Sequence, residues 1–156
     1  MENPTIFAKQ NSILSYITAK EYLRFLSVYP LPLDIALPIF AWSVQFRNGK
    51  FLRLLTEVRQ KDFVNNNNFK QIQKNYYQAT QTSILENRDI LAGDILRIDE
   101  TSITELTQTA AFIQENIATK LSNRSIILFH YDKEILSNYS NKEINTIFNV
   151  NYGLIY

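Results

Sequence analysis

The chain has no cysteine, only three glycines and a single histidine in 156 residues. Without cysteine there can be no disulfide, thiolate metal site or cysteine nucleophile. The lone His130 leaves no second imidazole for a zinc site and no His-Glu-x-x-His helix. Three glycines cannot form a glycine-rich phosphate loop, and Gly-x-Ser-x-Gly does not occur. Neither sign of charge dominates: 16 Lys and Arg against 15 Asp and Glu give a net charge of +1, which advertises neither a nucleic-acid surface nor a sink for acidic ligands. The aromatic residues are scattered and not interleaved with Lys or Arg, so a single-strand nucleic-acid platform is not expected. No apolar run approaches the ~18 residues of a membrane helix. The N-terminal stretch through Ile17 has no basic segment followed by an apolar run, so it is not a secretory signal. No cofactor or membrane partner is expected, and the compartment stays unassigned.

What is present is α/β patterning. Leu31 to Leu55 reads as a buried apolar strand, about 33–42, running on into a hairpin closed by Asn48-Gly49, a pair that tolerates φ > 0. Pro38 removes a ladder donor and argues for an edge, a bulge or an end of pairing there. A second apolar strand is expected over 125–131. Three capping boxes mark helix starts: Thr18 with Glu21, Ser102 with Glu105, and Ser140 with Glu143. The first predicts a helix over 19–28 that stops before Pro30. The second opens a helix over 103–121, with Ile103, Leu106, Ala110, Ile113, Ile117 and Leu121 on one face. The third opens a terminal helix that buries Ile144, Ile147 and Phe148. Residues 57–70, with asparagine at 65–68, read as a loop or poor helix; Tyr76–Ile84 and Asp94–Ile98 read as strands.

This order suggests a physical assembly. Strands 33–42 and 125–131 would be parallel neighbours joined through helix 103–121 in a right-handed crossover. Residues 43–100 would be an antiparallel insertion at the C-terminal end of the first strand, where ligand surfaces are built. The fold class expected is α/β, a partial (β/α)-barrel-like unit with a small inserted antiparallel α+β subdomain. The whole of 1–156 would form one domain, with 1–42 and 101–156 barrel-like and 43–100 inserted. Helix 19–28 would be the crossover into strand 33–42, so a further strand is expected before residue 1.

Asn3-Pro4, Asn11-Ser-Ile-Leu14, Tyr29-Pro-Leu-Pro-Leu-Asp-Ile-Ala-Leu-Pro-Ile-Phe-Ala-Trp42 and Phe46-Arg-Asn-Gly-Lys50 resemble the C-terminal part of uncharacterised bacterial (β/α)8-barrel proteins. Those proteins are similar to the chitinase superfamily, glycoside hydrolase family eighteen, and the resemblance spans essentially the whole chain. It implies that residues 1–15 follow strand six, that 33–42 and 125–131 are strands seven and eight, and that 43–100 replace the α+β insertion of many chitinase-like barrels. The catalytic run of aspartates ending in glutamate would lie upstream. Asp94 and Asp99-Glu100 do not match its spacing, so this chain alone is expected to lack the catalytic carboxylates glycoside hydrolysis needs.

Four residues are ligand-binding candidates. Trp42 ends the first buried strand, where an indole could stack on a sugar ring or simply pack under the hairpin. His130 and Asp132, with Tyr131, follow the second strand at what would be the site face of a barrel; a lone histidine there is also an ordinary structural residue. Arg47 precedes the hairpin turn and could touch an anionic or hydroxylated ligand, or remain a solvated hairpin residue. No catalytic residue and no metal ligand is assigned. Three readings stand: a C-terminal portion of a glycoside-hydrolase-like barrel that contributes to carbohydrate binding, a stand-alone α+β ligand- or protein-binding module, or a truncated chain that self-associates through unpaired strand edges.

Overall fold

The computed structural model describes residues 3–5, 7, 11–31, 33–117, 125–130 and 132–149. In chain order its elements are α1 (Tyr16–Tyr22), a 3-10 turn (Leu26–Val28), β1 (Ile35–Pro38), β2 (Ala41–Arg47), β3 (Lys50–Leu55), a 3-10 turn (Gln60–Asp62), β4 (Phe69–Gln73), β5 (Tyr76–Ala79), β6 (Ser83–Leu85), β7 (Arg88–Ile90), β8 (Ile95–Glu100), α2 (Ile103–Asn116), β9 (Ile126–Phe129), α3 (Lys133–Ser137) and α4 (Asn141–Asn149). The fold is mixed α/β, with two antiparallel sheets and one parallel pair, and no closed barrel is seen among the described residues. It divides into two compact groupings. One holds Ile13–Phe40 and the chain from Thr101 onward; the other holds Ala41–Glu100 and the described residues up to Ser12. Among the described residues no helix is long and apolar enough to cross a membrane.

In the first grouping β1 and β9 form a parallel pair, with Ile35 opposite Ile126 and Pro38 opposite Phe129. The Ile35 and Ile39 N–H groups donate to the Ser125 and Phe129 carbonyls, so the nitrogen of Pro38 lies on the side away from β9 and its missing N–H costs this pair nothing. Between the two strands in sequence lies α2, capped by the Ser102 hydroxyl, which accepts the Glu105 N–H at 3.2 Å. Leu106, Ala110 and Ile113 are buried on its inner face, and the helix touches α1, α4 and β1. The pair shows two unlike faces. Ile35 and Leu37 are buried, whereas Ile127 and Phe129 are 50% and 57% exposed beside Ala36 and Pro38. Among the described residues this face of the pair is therefore largely exposed, with the Phe40 ring edge on to Phe129 at 6.1 Å. Ile17, Tyr22, Phe25 and Val28 around α1 are exposed as well.

The second grouping is built on a five-stranded antiparallel sheet of order β3-β2-β8-β5-β4, with the hairpin β6-β7 apart from it. Asn48 and Gly49 have φ of 53° and 72°, the mirror-image turn whose twist matches the flanking strands. On one face Leu55, Phe69, Tyr77, Leu96 and Ile98 pack with Val58, Phe63 and Ile90, and the Phe63 and Tyr77 rings stack at 4.6 Å. The other face carries Val44, Phe46, Tyr76, Arg97 and Asp99, covered by the N-terminal segment.

Several expectations change. The apolar run 33–42 is not one strand: β1 ends at Pro38, and β2 opens a different sheet at Ala41. The first helix is capped by Ser15, not Thr18, and covers Tyr16–Tyr22 in place of 19–28, the 3-10 turn at Leu26–Val28 following it. Tyr76–Ile84 splits into β5 and β6, which lie in separate sheets. Helix 103–121 ends with its cap at Ile117, and Leu121 lies outside the described residues. The parallel pairing of the two apolar strands, the Asn48-Gly49 hairpin and the Ser140–Glu143 capping box are as expected.

Candidate functional site

The polar centre of the second grouping is assembled by strand register. In the antiparallel pair β2–β8, Trp42 lies opposite Asp99 and Val44 opposite Arg97, so the four side chains share one face. Arg97 and Asp99 sit two residues apart on β8 and meet side on. Arg97 Nε donates to Asp99 Oδ1 at 2.6 Å and Nη2 to Oδ2 at 2.8 Å. Neither side chain is exposed. An ion pair taken out of water persists only when its remaining donors are satisfied. Here the N-terminal segment does this: Arg97 Nη2 donates to the Pro4 carbonyl at 3.1 Å and Nη1 to the Phe7 carbonyl at 3.5 Å. The Phe46 ring lies 5.3 Å from the guanidinium.

The same segment reaches the carboxylate. Ser12 N–H donates to Asp99 Oδ2 at 3.1 Å, and the Ser12 hydroxyl bonds the same oxygen. The Phe7 ring meets Phe46 and Tyr76 edge on at 5.0 and 5.6 Å, while Tyr76 Oη donates to the Phe7 carbonyl at 2.7 Å. Asn11 Nδ2 donates to the Glu100 carbonyl at 2.7 Å. Half-buried Trp42 completes the group, its Nε1 donating to Ser12 Oγ at 3.3 Å and to Asp99 Oδ2 at 3.4 Å. The indole N–H is thus engaged from within, and the side chain as a whole stays half-buried. Chemically this centre holds an aromatic surface in place. Its charges are enclosed and saturated, which suits neither acid–base nor nucleophilic work.

Arg47, at the other end of β2, faces the opposite side of the sheet from Trp42. Its Nε and Nη2 grip Asp94 Oδ1 and Oδ2, each at 2.8 Å. Asp94 also accepts Gln45 Nε2 at 2.7 Å and the Leu91 N–H at 2.9 Å. Burial pushes the Asp94 carboxyl up, but the Arg47 fork, the Leu91 N–H and the Gln45 amide together hold it below the usual carboxylate range. Its hydrogen bond to Asp94 raises the Arg47 guanidinium further. Arg47 therefore fastens the turn before β8. The structure does not bring it together with Trp42.

The remaining candidates belong to the first grouping. His130 is exposed, follows β9 through a cis peptide and meets the Phe129 ring edge on at 5.8 Å. Asp132 is the N-cap of α3 and accepts the Glu134 and Ile135 N–H groups at 2.9 and 3.2 Å. Tyr131 lies outside the described residues. Asp34 accepts the Ser125 N–H at 2.8 Å and so fixes the start of the parallel pair. Among the described residues no group of three or more His, Cys, Asp or Glu could hold a metal ion.

Sequence reasoning overlooked Ser12, Arg97 and Asp99. Opposite charges two residues apart on a strand, alternating with Leu96 and Ile98, are a visible sign that both charges share one face. Ser12 carries no such sign, because its role depends on a partner 87 residues away. No family model matches the chain, and neither the curated proteins nor the solved structures offer a match.

Proposed function

We propose that the chain is the C-terminal portion of a glycoside-hydrolase-like (β/α) barrel, without catalytic carboxylates of its own, and that its inserted unit contributes a carbohydrate-binding surface at Trp42. The observation that carries this reading is the half-exposed apolar face of the β1–β9 pair, formed by Ile127 and Phe129. Parallel sheets occur almost only with both faces covered, so a parallel pair covered by helices on one side calls for further strands and side chains on the other. The element order supports it: strand, antiparallel insertion, helix, parallel strand. Trp42 suits the ligand role because its polar edge is tied inward while the residue is not fully buried.

The test is a titration with chitotetraose followed by the emission of Trp42, the chain's one tryptophan. A saturable change, together with binding heat by titration calorimetry that disappears in Trp42→Ala, supports the reading. Unchanged emission through the millimolar range removes its carbohydrate part. An immunoblot of the native source tests the other part: a band far larger than this chain supports a barrel parent, and a band at the mass of the chain excludes it.

A second reading, a self-contained binding module, is favoured by one feature. The inserted unit has an apolar core of its own, from Leu55 through Ile98. It predicts a monomer with full stability in isolation, whereas the truncated, self-associating chain predicts concentration-dependent sedimentation.

A further inference from the structure

We infer that Asp99 and Ser12 are positioning residues for Trp42, and that seating of the N-terminal segment sets the order of the indole. The consequence for ligand affinity rests on the reading of Trp42 as a carbohydrate surface; the consequence for the indole itself does not. The argument begins with the register: Trp42 and Asp99 are cross-strand partners on β2 and β8, so the carboxylate stands beside the ring it holds. The indole N–H is shared between Ser12 Oγ at 3.3 Å and Asp99 Oδ2 at 3.4 Å. Both acceptors are fully buried and cannot themselves touch a ligand. Their effect on binding must pass through the ring.

The relay continues away from the ring. Asp99 is fixed by Arg97, and Arg97 is fixed by the carbonyls of Pro4 and Phe7. The Phe7 ring is wedged between Phe46 and Tyr76. Ser12 comes from the same segment and is the only member of the relay that contacts both the indole and the carboxylate through one atom. Lifting the segment therefore removes one acceptor of the indole outright and unclamps the other. A half-buried indole that loses these two bonds is held by fewer contacts and gains torsional freedom. An aromatic surface fixed before binding loses less rotamer freedom when a ligand stacks on it.

The experiment reads Trp42 fluorescence in the full chain through emission anisotropy and acrylamide quenching, with circular dichroism and melting curves alongside. Ser12→Ala is the primary variant because it keeps the Arg97–Asp99 pair whole. Asp99→Asn leaves the Arg97 charge uncompensated and is read only where it folds. Phe7→Ala acts at a distance, since Phe7 reaches Trp42 only through the relay. Positioning predicts folded Ser12→Ala and Phe7→Ala proteins with lower anisotropy and faster quenching than the wild type, and recovery in Ser12→Thr. Their chitotetraose affinity should fall about two- to tenfold, the scale of one lost hydrogen bond. A purely structural role predicts lower melting temperatures with anisotropy and quenching unchanged in the folded state, and that result overturns the inference. If the wild type does not bind chitotetraose, the carbohydrate reading fails while the quenching comparison still decides the positioning.

Discussion

Arg97 and Asp99 close a two-toothed ion pair that has no contact with solvent on either side. Burying such a pair gains little over well-packed apolar side chains, but breaking it leaves a naked charge. Arg97→Met and Asp99→Leu alone should each cost about 3–5 kcal/mol, a large share of the ~5–15 kcal/mol that holds a domain together. The double variant should cost less than the sum. Urea unfolding of the four proteins measures the coupling, and additive losses would show that the two residues act independently.

The carboxylate of Asp94 predicts an acid dependence. Its folded pKa lies below the ordinary value of 3.8, so its stabilisation is complete above that value and is lost as pH falls through the lower folded value. Asp94→Asn cannot follow this titration. The stability gap between wild type and Asp94→Asn should be widest near neutrality and shrink in the acid range below 3.8. Urea midpoints across a pH series check it, and a gap independent of pH would rule out the carboxylate as its source.

The turn at Asn48-Gly49 predicts a torsional cost without a steric one. A Cβ added at Gly49 would meet nothing within 4 Å, yet φ there is +72°. Gly49→Ala should therefore lose about 1–2 kcal/mol through backbone strain alone. Asn48→Gly, also in the left-handed region at 53°, should be nearly neutral. Thermal unfolding of the two variants compares them directly.

The cap of α2 predicts a loss confined to one end of a helix. Ser102→Ala removes the acceptor of the Glu105 N–H and should cost about 1 kcal/mol. Hydrogen exchange should speed up in the first turn of α2 and stay unchanged across β4 and β5.

The half-exposed sheet face predicts a silent substitution. Phe129 is 57% exposed, so Phe129→Ser should change stability by no more than ~0.5 kcal/mol. Ile127→Ser should behave likewise, and the double variant should sediment with less self-association than the wild type. A loss of ~3 kcal/mol or more, as for a truncated buried phenylalanine, would mean the chain covers this face itself.

How much of this was readable in the sequence depends on whether the signal was local. The Ser102 cap, the Ser140–Glu143 box and the Asn48-Gly49 turn act within a few residues and were legible, whereas the change of sheet between Pro38 and Ala41 was not. Thr18 misled because Ser15 had already placed a hydroxyl at the start of the helix, leaving Thr18 inside it. β4 went unread because four of its five residues are exposed, so no alternation marks it. The β6–β7 hairpin turns on Glu86-Asn87, a pair without the glycine that signals such a turn. At the site, Trp42 stood out by type, but Ser12, Arg97 and Asp99 acquire meaning only from contacts made across most of the chain.

The seat of the N-terminal segment also sets a timetable. Pro4 bonds a guanidinium 93 residues further on, and Ser12 a carboxylate 87 residues further on. At about 5–20 residues per second, a ribosome would add Arg97 roughly 5–20 s after Pro4. Until Arg97 and Asp99 are made, the segment has no ion pair to bind, even after Phe46 and Tyr76 have become available to the Phe7 ring. The segment therefore waits on partners made most of this chain later before it can take its place.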